Sequence, residues 1–185
     1  MHLRRDAVPA ASEWILDVER AAAATPGLVA TVGSVTPLPG ASNVIAGEVR
    51  ATLDVRHADD GVRTTAVRRM LDGARAIAER RKLEWSSEVR LEQSAVACDA
   101  ELTNTMVRSV ELAGFPTHRM VSGAGHDAMV MATRMPVAML FIRSPEGISH
   151  HSTETVNIDD VAASLQVGWH FLRQVASHHA SVRTN

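Results

Sequence analysis

The sequence lacks most features that mark secreted, membrane or nucleic-acid-binding proteins. It contains one cysteine, Cys98, which excludes an internal disulfide and any zinc site built from cysteines. The formal net charge is -2 and arginines are interleaved with acids, so nucleic acid is not an expected partner. No segment approaches the roughly 18 apolar residues that cross a bilayer, and the N-terminus has no apolar signal core. These absences favour a cytoplasmic globular protein, with no membrane partner, whose metal ligands, if it has any, are histidines and carboxylates.

The first half of the chain has the pattern of helices packed on an antiparallel sheet. With 185 residues, 45% of them hydrophobic, the chain is long enough for one domain or two small ones. Residues 48–56 alternate apolar and polar side chains, which is typical of a half-buried strand. Helical or strand periodicity predicts helices over 7–24 and 64–82 and strands over 28–35, 48–56 and 85–91. This order indicates an α+β layer of helices on a sheet.

The second half instead alternates helices and apolar strands, which is typical of a parallel-sheet protein. A helix over 100–113 ends at Gly114-Phe115-Pro116, and a final helix begins after Asn157, its predicted N-cap. Strands are predicted over 116–121 and 137–142. We therefore place a domain boundary near Ser94.

Polar clusters follow both predicted strands of the second half. The first is Ser122-Gly123-Ala124-Gly125-His126-Asp127, and the second ends in His150-His151. Ligands of open α/β sheets bind at the carboxyl ends of strands, so the two clusters would meet if their strands are neighbours. Small residues let backbone approach a ligand closely, and a helix that begins near His126 would direct amide N–H groups at a ligand oxygen.

Each of these residues also has a simpler interpretation. His150 is either a metal ligand or a solvated loop residue, and the Gly123–Gly125 segment is either a ligand contact or a tight turn. Arg56 is either an ordinary surface residue or a residue whose planar guanidinium binds a carboxylate through two N–H groups. For Asp127 we expect helix capping, not catalysis. The pattern alone leaves these alternatives open.

Four ordered motifs nevertheless resemble one family, and the likeness covers almost the whole chain. They are "MHLRRDA", "SNVIAGEVRATLDVRH", "SGAGHDAMVMA" and "GISHHSTE". They resemble segments of the amidase/hydantoinase/carbamoylase family of metal-dependent hydrolases. That family includes N-carbamoyl-L-amino acid hydrolases, allantoate amidohydrolases and β-ureidopropionases. Four motifs in the right order are far more specific than any one of them.

The resemblance implies hydrolysis of a carbamoyl or ureido C–N bond at a two-metal centre of Zn, or of Mn, Co or Ni. His150 matches the last metal-ligand histidine, whereas His151 stands where relatives often have Asn or Ser. Asn43 and Arg56 match residues that hold the substrate's carboxylate, and Gly123 and Gly125 match the loop whose backbone touches the substrate. No residue of this chain matches the catalytic base, so we assign none.

The implied fold combines a two-layer lid and a catalytic domain. Residues 1–93 would be a helix-on-antiparallel-sheet lid or dimerisation domain without its first strand, through which a homodimer forms. Residues 94–185 would be the C-terminal part of an α/β zinc-hydrolase domain. The family's earlier metal ligands match nothing here, so we expect this chain alone not to hold both ions. The alternative is a catalytically incomplete module that serves dimerisation or interaction only.

Overall fold

The computed structural model describes residues 5–149 and 151–182, with side chains described as far as residue 177. The chain divides into two compact units, Met1–Ala95 and Val96–Asn185. Helix α1, strands β1 and β2 and helix α2 form the first unit, and α3, α4 and α5 lie in the second. None of the described helices combines the length and the apolar character needed to span a membrane.

Helix α1 spans Ala7–Ala23 and begins at a capped N-terminus. The carboxylate of Asp6 accepts a hydrogen bond from the backbone N–H of Val8 at 3.1 Å, which satisfies one of the helix's unpaired donors. Trp14 and Val18 lie one turn apart on the buried face, as the apolar spacing predicts. The helix ends before the Thr25-Pro26-Gly27 turn, where Gly27 adopts a φ of 76° that favours glycine.

Strands β1 (Val29–Leu38) and β2 (Glu48–Arg56) form an antiparallel hairpin. Val29 pairs with Arg56 at one end and Leu38 with Glu48 at the other, with a register shift between Thr31 and Ser34. The expectation that β1 ends near Val35 is wrong, because Pro37 pairs with Val49 inside the strand. Proline is tolerated there because the described sheet has two strands, so β1 is an edge strand.

Helix α2 (Asp60–Arg80) packs beside α1 and completes the core of the first unit. The indole Nε1–H of Trp14 donates to the backbone oxygen of Met70 at 3.1 Å, which joins the two helices inside the core. Glu13 adds a surface link, since Arg80 and Arg81 both hydrogen-bond its carboxylate and lower its pKa. Ala10, Trp14, Val18, Leu28, Met70, Ala74 and Ile77 make up the buried cluster.

The predicted third strand of the first unit, over 85–91, is not present as a paired strand. The described sheet contains β1 and β2 alone, and Val89 and Leu91 are largely exposed. Alternation of apolar and polar residues fits an extended segment, but a strand also requires a neighbour for its backbone N–H and C=O groups. The described residues supply no such neighbour for this segment.

The second unit is organised around the contact between α3 (Ala100–Leu112) and α5 (Ile158–Val182). Asp99 caps α3 by accepting from the N–H of Leu102 at 2.8 Å. The Ser109 side chain is fully buried, and its hydroxyl accepts from Gln174 Nε2 at 2.7 Å. Helix α5 begins directly after Asn157, as the capping pattern predicts.

The strands predicted over 116–121 and 137–142 are likewise absent among the described residues. Neither segment has a described ladder of strand hydrogen bonds, although the N–H of Asp99 donates to Val137 O at 2.8 Å. Met120 and Val121 are exposed, and Phe141 is 43% exposed. The error has the same cause as that in the first unit: the pairing of a strand depends on residues distant in sequence, which neither alternation nor apolar composition reports.

A Trp14→Phe substitution tests the link between α1 and α2. We expect it to lower the free energy of unfolding by about 1–2 kcal/mol, because it removes a buried hydrogen bond and leaves unfilled volume. Urea denaturation followed by circular dichroism at 222 nm measures this change. Leu16→Ala, at an exposed position of the same helix, should change stability by no more than about 0.5 kcal/mol. Equal losses in the two variants would contradict the assigned role of Trp14.

Candidate functional site

Arg56 is the last residue of β2 and lies on the exposed face of the strand. Leu53 and Val55 pack against the core, so their neighbours Asp54 and Arg56 point the other way. Arg56 Nε donates to Asp54 Oδ1 at 2.6 Å, and Nη2 donates to Oδ2 at 3.2 Å. Hydrogen bonding to Asp54, followed by the attraction of the opposite charges, raises the pKa of Arg56. The two contacts thus hold the guanidinium in a defined plane.

Asn43 lies at the other end of the hairpin, in the loop that joins β1 to β2. The N–H of Gly47 donates to Leu38 O at 3.2 Å and closes the base of this loop. Asn43 is exposed. A nine-residue strand spans roughly 26 Å, and Arg56 occupies its far end. The structure therefore does not bring Asn43 and Arg56 together at one end of the hairpin.

The Gly-Ala-Gly segment forms a turn that is organised by one serine. The Ser122 hydroxyl accepts from the N–H of Ala124 at 3.2 Å and lies 2.9 Å from Ala124 O. His126 Nε2 lies 2.8 Å from the same hydroxyl. Helix α4 (Asp127–Met131) starts directly afterwards with His126 as its N-cap residue. The expectation that Asp127 caps this helix is wrong, because Asp127 is already its first residue.

The backbone conformation does not require glycine at position 123 or at position 125. Neither has a φ in the left-handed region. A Cβ added at Gly123 would meet no described atom within 4 Å, and one at Gly125 would meet only Met129 Sδ, at 3.7 Å. That distance is ordinary van der Waals contact. Alanine therefore fits at both positions in the described structure.

His126 connects the turn to the apolar segment 137–142. Its ring meets that of Phe141 edge-on, with centroids 5.6 Å apart and an interplanar angle of 69°. The sequence placed His126 in the first polar cluster and near the start of a helix, without assigning it a site role. Its contacts with Ser122 and Phe141 make it part of the polar turn. The one sequence feature that could have indicated this is its position directly after Gly-Ala-Gly. The turn and the apolar segment are thus spatial neighbours.

Hydrogen bonds and an ion pair hold both ends of the loop that follows the apolar segment. Ser144 Oγ lies 2.7 Å from Ile148 O and 3.2 Å from Thr155 O, and Arg143 pairs with Asp160 in the first turn of α5. His151 Nδ1 accepts from the N–H of Thr153 at 3.3 Å and lies 2.8 Å from its hydroxyl. His150, the predicted metal ligand, lies outside the described residues, as do residues 1–4 of the first motif.

The described residues do not by themselves fit a metal centre. Across 5–149 and 151–182, no three or more His, Cys, Asp or Glu side chains are grouped so that they could hold an ion. His151 directs Nδ1 toward Thr153 within its own loop. No chemical step at a metal follows from the described side chains.

An open cleft of about 460 Å³ in the first unit is lined by none of the predicted site residues. It lies between the end of α1 and the start of α2 and is lined by Thr25, Leu28, Asp59 and Arg69, among others. The N–H groups of Gly61 and Val62 at this helix start both donate to Asp59 Oδ1. Their donor capacity is already used, so the cleft does not offer them to an anion.

The chain belongs to a family of metallohydrolases. Residues 13–174 match the model of the peptidase family M20/M25/M40. This match covers most of the chain and confirms the family-level expectation from the four motifs.

Individual relatives make the family comparison more specific. The chain is 37% identical to a probable allantoate deiminase of Oryza sativa, over 89% of this chain and 39% of that protein. It is 33% identical to an N-carbamoyl-L-amino acid amidohydrolase of Geobacillus stearothermophilus, over 95% and 43%. The crystal structure of a hydantoinase/carbamoylase-family amidase from Burkholderia multivorans superposes with a TM-score of 0.87 at 35% identity, covering 92% of this chain and 42% of that one. The chain thus spans about two fifths of the length of these proteins, and the expected fold class is confirmed.

Substitution of the two turn glycines tests whether the fold requires them. Gly123→Ala and Gly125→Ala should leave the free energy of unfolding within about 0.5 kcal/mol of wild type, because the added Cβ meets no close neighbour. Gly147→Ala is the control, since Gly147 has a φ of 69° and should lose about 1–2 kcal/mol. Urea denaturation measures all three. A large loss at Gly123 or Gly125 would mean that the turn itself needs glycine.

Proposed function

We propose that this chain forms the substrate-carboxylate-binding and late metal-ligand part of a hydrolase that cleaves carbamoyl or ureido C–N bonds. The substrates are N-carbamoyl amino acids or allantoate-like ureides. The observation that carries the proposal is the agreement between the relatives, which bear these activities in their names, and the polar turn beside the apolar segment. Family membership supports hydrolysis dependent on a divalent metal.

The proposed roles follow from the chemistry of each group. Arg56 presents a planar guanidinium that matches a carboxylate, and Asn43 supplies an amide for the same class of group. Because the length of β2 separates them, Asn43 and Arg56 of one chain would not hold the same carboxylate. Gly123 and Gly125 allow a substrate to lie close to the backbone of the turn. A Cβ would fit at both positions, so packing within the fold does not require glycine there. A requirement for close approach of the substrate would explain why both residues are glycine. His150 would ligate one of two ions, of which zinc is the first candidate and Mn, Co or Ni are alternatives.

The proposal also assigns the two halves of the chain. Residues 1–93 would serve as a lid and dimerisation domain, and residues 94–185 would contribute the C-terminal part of the catalytic domain. We propose a homodimer in the cytoplasm. The described side chains bind and orient substrate in this scheme, and the groups that activate water belong to the part of the relatives' length that this chain does not span.

A chimera tests the metal-ligand assignment. In it, this chain replaces the matching part of the Geobacillus enzyme, which restores the full length of a relative. We expect metal-dependent release of ammonia from N-carbamoyl amino acids. His150→Ala should abolish activity and lower the bound metal by one ion per chain, whereas His151→Ala should have a milder effect.

Bound metal is counted by mass spectrometry on chimeras whose circular dichroism matches that of the parent. Equal losses in both variants would show that the two histidines are wrongly distinguished. A folded, metal-loaded chimera without turnover would favour the interaction module over the enzyme.

A further inference from the structure

We propose that Asp54 is a positioning residue that fixes the guanidinium of Arg56 in the orientation in which it binds a carboxylate-bearing substrate. The inference rests on the proposed function, since it presumes that Arg56 binds the substrate. Both residues lie on the exposed face of β2, two positions apart. Their side chains are about half exposed, 54% for Asp54 and 51% for Arg56.

The contact geometry carries the inference. One oxygen of Asp54 accepts from Arg56 Nε at 2.6 Å and the other accepts from Nη2 at 3.2 Å. A single contact would let the planar guanidinium rotate about the bond, whereas two contacts define its plane. A fork that is already oriented loses less side-chain freedom when a ligand binds, and this difference appears as affinity.

Stability does not account for the pair. Ion pairs between half-exposed side chains contribute little to folding, because solvent screens the charges and both side chains lose entropy. The same strand provides a comparison in Glu48 and Arg50, whose Nε–Oε1 distance is also 2.6 Å. Arg50 has no proposed substrate role. The Glu48–Arg50 pair is therefore a control for an ion pair at the same spacing on the same strand that has no proposed substrate role.

This second pair also shows that a longer acid can reach its arginine. Glu48 contacts Arg50 across the spacing that separates Asp54 from Arg56, so glutamate at position 54 should still reach the guanidinium. Asparagine at position 54 keeps the shape of aspartate but loses the charge and one acceptor oxygen. Asp54→Glu therefore tests the effect of side-chain length, and Asp54→Asn tests the effect of losing the charge and one of the two acceptors for Arg56.

Asp54 also has an opposing effect on an incoming anion, because its carboxylate repels a second carboxylate. If repulsion dominated, Asp54→Asn would bind a carboxylate more tightly than the wild-type chain. If positioning dominates, as we propose, the same variant binds it more weakly. The sign of the change in Kd distinguishes the two effects.

The experiment uses the whole chain, labelled with ¹⁵N at arginine, and N-carbamoylglycine as the probe. NMR reports the hydrogen exchange rate of Arg56 Nε–H and, from the shift during titration, the Kd of the probe. We expect Asp54→Asn to accelerate exchange and raise Kd about fivefold, as for the loss of one exposed charge pair. Asp54→Glu should slow the exchange of Nε–H again, because glutamate at this spacing reaches Nε, and should lower Kd only in part, because a single contact leaves the plane of the guanidinium free. Glu48→Gln should change neither value.

Each outcome decides a separate point. Unchanged exchange at Arg56 in Asp54→Asn would overturn the positioning role even if the probe binds. Faster exchange of Arg56 Nε–H in Asp54→Asn, together with an unchanged or lower Kd of the probe, would also overturn it. That result would mean that fixing the orientation of Arg56 does not strengthen binding. Normal exchange in the wild-type chain without any probe-dependent shift at Arg56 would reject the substrate role in the proposed function, and the inference with it.

Discussion

One-sided burial of the β1–β2 hairpin is the constraint on which the candidate site depends. Helices α1 and α2 cover one face of the hairpin, and Trp14 joins them through its hydrogen bond to Met70. Because side chains alternate along a strand, burying Leu53 and Val55 places Asp54 and Arg56 on the opposite face. A shift of one residue in this register would bury the guanidinium and expose the core. The position of Arg56 is thus a consequence of how the core packs.

Local patterns predicted the existence of the helices and of strands β1 and β2, because each depends on neighbours in sequence. The bounds differ most at two places: α2 begins at Asp60, before the predicted start at 64, and β1 continues to Leu38. Helix α1 ends within one residue of its predicted end, and β2 has the predicted bounds. The segments 85–91, 116–121 and 137–142 were predicted as strands from alternation or from apolar composition, but they are not paired among the described residues and several of their apolar side chains are exposed. Their pairing depends on distant partners, which no window of the sequence contains. The same reasoning explains why β1 was expected to end near Val35, before Pro37, since only the pairing shows that β1 is an edge strand that tolerates proline.

The sequence predicted which residues belong to the candidate site, but it did not predict their contacts in three dimensions. Motif order identified Asn43, Arg56, Gly123, Gly125 and His150, and family membership agrees with the resemblance. The ring contact between His126 and Phe141 needed coordinates, because it joins residues distant in sequence. The separation of Asn43 from Arg56 already follows from the strand over 48–56 that the sequence predicted. The space around each turn glycine and its φ also needed coordinates.

The central claim is that Arg56 binds the carboxylate of the substrate. The most direct measurement compares kcat/KM of the active chimera for an N-carbamoyl amino acid and for the neutral amide of the same compound. We predict a strong preference for the carboxylate that disappears in Arg56→Gln, because the substitution removes both the charge and the planar fork. An undiminished preference in Arg56→Gln would contradict the account and place carboxylate recognition elsewhere.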